Sequence, residues 1–230
     1  MTVQHALVPG GQPALVFPSQ AVETTRILAF HGGGGVGGSP DMLVPFCTVL
    51  QNSIPGLTIL AAGYRTLDRD QATLTEMLDD AANALTWCRS EQPEGSDLFL
   101  LGASFGGLLA LDAVHKSSRG VEGLILMNPV TDIGAGGFTN RVIPQAGRPE
   151  HSPMQLWQDW AGLNTLRCLI AHGSADDVVP IETSERFARL WPETRSRFVA
   201  YPGARHGFFN HPVHSATVAD HIQRFIVPAG

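Results

Sequence analysis

The sequence predicts an α/β protein, with a mostly parallel central sheet covered by helices on both faces. Three observations carry that expectation. Short strand-like runs alternate with segments of helical period from residue 26 onward. Those runs are mainly apolar, as strands covered on both faces must be. The 230 residues include 25 glycines and 16 prolines, which suits a loop-rich, close-packed chain rather than a helical bundle.

Taken in order, residues 6–8 and 14–17 are brief apolar stretches around Pro9-Gly10-Gly11, a hairpin pattern. Residues 26–30 (Arg-Ile-Leu-Ala-Phe) form a buried-strand pattern that runs into His31 and four glycines. Residues 40–52 have helical spacing, with Ser39 as cap and Pro40 in the first turn. A strand follows at 57–62. The longest helix pattern spans 71–89, where Leu74, Met77, Leu78, Ala81, Leu85 and Cys88 share one face. A strand at 97–101 enters Gly102, and 105–115 reads as a helix. The strand at 123–127 ends at Asn128-Pro129. Residues 131–164 are irregular, with one short helix expected at 154–160. Strands at 167–171 and 196–200 and helices at 181–190 and 215–226 complete the chain. No repeat or linker stands out. The expected organisation is a single domain over residues 1–230, with 131–164 inserted over it as a small cap.

Composition narrows the function. Fifteen basic against 21 acidic residues give a net charge of −6, which argues against nucleic acid as the main partner. No apolar run approaches ~18 residues, so no helix is expected to span a membrane. The first residues lack a basic stretch followed by an apolar one, so no signal peptide is read there and a cytoplasmic location is expected. Cys47, Cys88 and Cys168 are widely spaced and odd in number. Three free, buried thiols in a reducing compartment are expected.

The chemistry concentrates at strand ends. Gly102-Ala-Ser-Phe-Gly106 is a Gly-x-Ser-x-Gly pattern. Alone it is weak, but here it follows a strand pattern and opens a helix pattern, as a nucleophile elbow requires. The turn would present Ser104 at its tip. Side chains at positions 102 and 106 would collide with the neighbouring strand and helix. His31-Gly-Gly-Gly-Gly35 lacks the Lys-Ser/Thr of a phosphate-binding loop. With an elbow serine elsewhere, it reads as an oxyanion hole whose donors are the N–H groups of Gly33 and Gly34, with a third from Phe105. His31 itself is read as a structural residue of that loop. Asp176 and Asp177 both sit on the loop after the 167–171 strand. His206 stands in a loop after the 196–200 strand. Serine, acid and histidine thus follow one another at spacings of 72 and 30 residues, an order shared with one known arrangement of the catalytic triad.

On these residues the chain resembles the α/β-hydrolase superfamily, and within it the bacterial carboxylesterases and acetyl esterases with an HGGG oxyanion loop. The likeness covers roughly residues 26–226. It rests on His31–Gly34, Gly63-Tyr64-Arg65, Gly102–Gly107, His172-Gly173 with Asp176 and Val179-Pro180, and Pro202-Gly203 with His206-Gly207-Phe208. The family pattern places the catalytic acid four residues after the histidine of its His-Gly-x-x-Asp motif, which selects Asp176 over Asp177. Val36 and Gly37-Gly38 stand where such esterases often carry an aromatic residue, and Phe105 where lipase-like relatives have alanine.

The expected activity is cleavage of a small or medium carboxylic ester through an acyl-enzyme. Ser104 would be nucleophile, His206 base and Asp176 its orienting acid, with no metal or organic cofactor. Phe105 is expected to narrow the site, and Phe138, Trp157 and Trp160 of the insertion to form a small lid over substrate. The same triad serves thioesters, lactones, amides, acyl transfer or C–C lysis, so these alternatives stay open. A non-catalytic small-molecule receptor and a nucleotide-binding protein are more distant ones. An edge strand and the closing helix offer surfaces for a homodimer, though nothing in the sequence demands one.

Overall fold

The computed structural model describes residues 3–227. Eight strands form one sheet: β1 (Gln4–Leu7), β2 (Pro13–Phe17), β3 (Thr25–Phe30), β4 (Leu57–Ala62), β5 (Asp97–Ala103), β6 (Val121–Met127), β7 (Arg167–Gly173) and β8 (Ser196–Tyr201). Their order across the sheet is β1-β2-β4-β3-β5-β6-β7-β8. The hairpin β1–β2 joins β4 antiparallel, and every pair from β4 to β8 is parallel. The expected α/β architecture is therefore the observed one.

Strand side chains alternate between two cores. In β3, Leu28 and Phe30 face one and Ile27 and Ala29 the other. In β5, Leu98 and Leu100 face the first, and Phe99 and Leu101 the second. The first core lies under α3 (Leu74–Ser90) and α4 (Phe105–Lys116). The second lies under α1 (Val44–Ser53) and α7 (Pro212–Ile226). In the central strands, burial on both faces explains why they read as mainly apolar runs. Cys47, Cys88 and Cys168 are buried and free, and burial pushes the Cys47 and Cys88 thiols up to about 12.

Helix boundaries move where capping decides them. Residues 71–73 do not join the long helix. Thr73 caps it through a capping box, in which its N–H donates to Glu76 (2.8 Å) and its hydroxyl oxygen accepts from the Glu76 N–H (3.4 Å). Before it stands a separate turn, α2 (Leu67–Asp70). The 40–52 pattern divides into a 3₁₀ turn at Pro40–Leu43 followed by α1, because Pro45 suits a fresh first turn. α7 begins three residues earlier than its apolar pattern, at Pro212, with His211 as cap.

The insertion between β6 and β7 contains no strand. Its helix is the single turn α5 (Pro153–Leu156), not 154–160. The last helix of the cap side is α6 (Ile181–Ala188). The register aligns the strand ends that matter: Phe30 pairs with both Ala62 and Gly102, Ala103 with Met127, Met127 with Ala171 and Gly173 with Tyr201. The chain leaves β3 for β4 on one side and β5 for β6 on the other. The crevice between β3 and β5 is thus a topological switch point at the carboxyl edge.

Candidate active site

Ser104 occupies the turn between β5 and α4 at φ 54°, ψ −119°, a conformation that costs a residue with a Cβ of order 1–3 kcal/mol. Its backbone is over-determined. Its N–H donates to the Met127 carbonyl (2.8 Å), and its carbonyl accepts from Gly107 (2.9 Å) and Val130 (3.0 Å). A Cβ on Gly102 would fall 2.4 Å from the Gly106 carbonyl oxygen, and one on Gly106 would fall 2.2 Å from that of Phe30. The expected collisions are those the structure would suffer.

His206 Nε2 lies 3.0 Å from Ser104 Oγ, and its Nδ1 lies 2.8 Å from Asp176 Oδ2. Nδ1–H donates to the carboxylate, which leaves Nε2 as acceptor for the serine hydroxyl. The imidazole is 23% exposed, so solvent reaches it, while the Asp176 side chain is fully shielded. Burial alone would raise the Asp176 carboxyl. Donors from His172 and His206 and the N–H groups of Val179 and Val178 outweigh it and hold the group well below the usual carboxylate range. Asp177 points outward and pairs with Arg205.

Two polar residues to which the sequence assigned no role complete this end of the site. Asn128, buried at the end of β6 with φ 46°, donates its side-chain amide to Asp176. His172 Nε2 sits 2.9 Å from the Val179 carbonyl and 3.3 Å from Asp176 Oδ2, while its Nδ1 meets Ser184 Oγ at 2.8 Å. The available signals were the strand-ending Asn128-Pro129 and the leading histidine of His172-Gly173.

The glycine loop after β3 faces Ser104. Among the described residues, the N–H groups of Gly33, Gly34 and Phe105 donate to no protein acceptor. Gly33, Gly34 and Ser104 line a common cavity of about 330 Å³. His31 is buried beneath this loop, with its ring stacked on Tyr64 (centroids 4.3 Å apart) and Nδ1 2.7 Å from the Gly32 carbonyl. Burial pushes His31 down to about 4, against the opposing pull of that carbonyl. This is a loop-holding residue, as expected.

The aromatic residues divide. Phe138 lines the Ser104 cavity with Met42, Leu43 and Phe209. Trp157 and Trp160 do not. Trp157 is fully buried against Trp160, Phe187 and Trp191, with ring centroids 4.3, 5.8 and 5.2 Å away, and forms the underside of the cap. The short helix α5 turns it inward, and the aromatic content of the insertion serves its own packing. The Phe105 side chain does not narrow the site either, since it is buried on the Tyr64 side of the loop, against Gly35.

A family model described as the alpha/beta hydrolase fold matches residues 27–161, more than half of the chain. The chain belongs to the α/β-hydrolase fold family. The apo form of Thermogutta terrifontis esterase 2 is similar with a TM-score of 0.80 at 25% identity, over 97% of this chain and 93% of that one. The propionate-bound form gives 0.78 at 25% identity, over 100% and 96%. The uncharacterized protein YfhR of Salmonella typhimurium is 25% identical over 193 residues, which are 78% of this chain and 63% of that protein. YfhR of Escherichia coli K12 is 26% identical over 147 residues, 62% and 51% respectively. The chain thus spans between half and two thirds of the length of these curated relatives. No described helix is long and apolar enough to cross a membrane.

Proposed function

We propose that the protein hydrolyses carboxylic esters with small or medium acyl groups, through an acyl-enzyme on Ser104. One observation carries this reading: an unbroken hydrogen-bond chain from Ser104 through His206 to Asp176 opens onto an apolar cavity edged by unpaired N–H donors. His206 Nε2 takes the Ser104 proton as Oγ attacks the acyl carbonyl. The resulting oxyanion is held by the N–H groups of Gly33, Gly34 and Phe105. Asp176 keeps Nδ1 protonated and stabilises the imidazolium. His206 returns the proton to the leaving alcohol, and water then releases the acid by the same steps in reverse.

The size of the acyl group follows from the cavity. About 330 Å³ stands at the low end for small-molecule pockets, and the walls from Met42, Leu43, Phe138 and Phe209 are apolar. The similar Thermogutta esterase, known with propionate bound and phosphorylated by paraoxon, supports the same class. The test is hydrolysis of acetyl to octanoyl chromogenic esters by wild type and Ser104→Ala. Turnover best on short or medium chains and lost in the variant is expected. Equal turnover in both proteins would refute the reading.

A further inference from the structure

We propose that Asn140 is a positioning residue that clasps the oxyanion loop to the cap, so that one side chain sets both the Gly34 backbone and the placement of Phe138. The proposal rests on the ester-hydrolase reading above and adds to it a residue that no motif marks.

A run of glycines has little conformational preference of its own, so its shape depends on external hydrogen bonds. Here every carbonyl from Gly32 to Val36 is held. Gly32 accepts from the Tyr64 hydroxyl (2.8 Å) and from His31 Nδ1 (2.7 Å). Gly33 accepts from Val36 (3.0 Å) and Gly37 (3.2 Å), Gly35 from Leu67 (2.9 Å), and Val36 from Asp68 (2.9 Å). Those donors lie within the loop or in the 64–68 segment that follows β4. The Gly34 carbonyl instead accepts from Asn140 Nδ2 at 2.7 Å, across 106 residues of sequence. Gly34 stands at φ +66° and lines the cavity, with its carbonyl turned to Asn140. If that carbonyl were released, no Cβ would prevent the 34–35 peptide from turning.

The orientation of the Asn140 amide is dictated chemically. Its Oδ1 accepts from the N–H groups of Val142 (2.8 Å) and Ile143 (2.9 Å), so Nδ2 must face Gly34. The turn is anchored, because the Asn140 N–H donates to the Ile143 carbonyl (2.9 Å) and Ile143 is fully buried. Two residues earlier stands Phe138, which walls the Ser104 cavity and is tied by its N–H to the Asp132 carbonyl (2.8 Å). The clasp therefore joins the cap's substrate wall to the donor loop. A neighbouring pair, Arg141 with Asp68 (2.8 Å), also links the cap to α2, but both side chains are exposed and such pairs contribute little.

Asn140→Asp separates the two halves of the role. A carboxylate still accepts from Val142 and Ile143, which preserves the turn, but it sets an oxygen against the Gly34 carbonyl. The expected result is a kcat lowered roughly 10–100-fold, the scale of a small misplacement of catalytic groups, with KM little changed. A second readout isolates the oxyanion site. The Ser104 oxygen adds to an alkylboronic acid as its proton passes to His206, leaving a negatively charged tetrahedral boronate with one of its oxygens in the pocket. Its inhibition constant should weaken by the same factor as kcat. Asn140→Ala, which introduces no charge, carries the same expectation should the Asp variant not fold. Arg141→Ala should behave as wild type. A wild-type kcat in folded Asn140 variants, or a rise in KM alone with boronate affinity intact, would overturn the clasp. Undiminished ester turnover by Ser104→Ala would instead overturn the underlying ester-hydrolase reading.

Discussion

Asp176 shows how one side chain's surroundings determine what it can do. Four kinds of donor converge on it: His206, His172, the Asn128 amide and two backbone N–H groups. Together they overcome the penalty of burial and keep it charged, which the triad chemistry requires of the residue behind the base. Asp177, one residue on, meets only a surface arginine. Asp176→Asn preserves the size of the side chain but favours the wrong imidazole tautomer, and should lower kcat by about 10⁴-fold. Asp177→Asn should keep close to the wild-type rate. Steady-state kinetics on one short ester compares the two. Position alone left both acids open. The family's motif spacing selected Asp176, and it is Asp176 rather than Asp177 that lies within hydrogen-bond reach of His206. His172 was visible as the first residue of the motif but its contact with Asp176 was not, and Asn128 was harder to see because a supporting hydrogen bond leaves no pattern along the chain.

At the scale of elements, the turn from β5 into α4 was legible because it is local. Gly102, Ser104 and Gly106 fall within five residues; Gly102 clears Gly106 inside the turn, and Gly106 clears the Phe30 carbonyl of the adjacent strand β3. The cap was not legible, because its aromatic residues could face either way. Phe138 faces the cavity, whereas Trp157 packs on Phe187 and Trp191, and Trp160 packs on Trp157 and His115. Nothing in the insertion's spacing separates those fates, since α5 is a single turn and carries no helical stripe. The two positions should respond differently. Phe138→Ala should shift the preferred acyl length upward by opening the wall. Trp157→Ala should cost about 3–5 kcal/mol of stability and leave that preference in place. Thermal melts beside a chain-length series distinguish them, and a changed preference in the Trp157 variant would contradict the division. Helix starts were misplaced for a related reason. The Thr73–Glu76 box and Pro212 are sharper signals than the apolar stripe that the eye follows.

For the whole molecule, the sheet brings distant residues together. Aligned carboxyl ends of β3, β5, β6, β7 and β8 place the glycine loop, Ser104, Asn128, Asp176 and His206 along one edge. That convergence follows from parallel topology, so it could be anticipated once the strands were recognised. The exact contacts across the edge, such as Asn140 to Gly34, could not. The same edge carries a pH liability in His31. Folding lowers it from 6.5 to about 4, so between these values the unfolded chain binds a proton that the folded chain refuses. Stability is therefore complete above about pH 6.5 and falls as pH drops toward 4, by roughly 3 kcal/mol from this group. His31→Gln should remove that part of the slope. Denaturant midpoints from pH 7 to pH 4.5 check it, and parallel curves for the two proteins would contradict the assignment.

The central claim is a covalent acyl group on Ser104, and trapping it is the most direct test. The protein would be quenched in acid while turning over a chromogenic butyrate ester, then digested and its peptides weighed. The account predicts a butyryl adduct on the peptide carrying Ser104, absent in Ser104→Ala. Rapid turnover with no adduct on Ser104, or an adduct on another residue whose loss abolishes turnover, would contradict it.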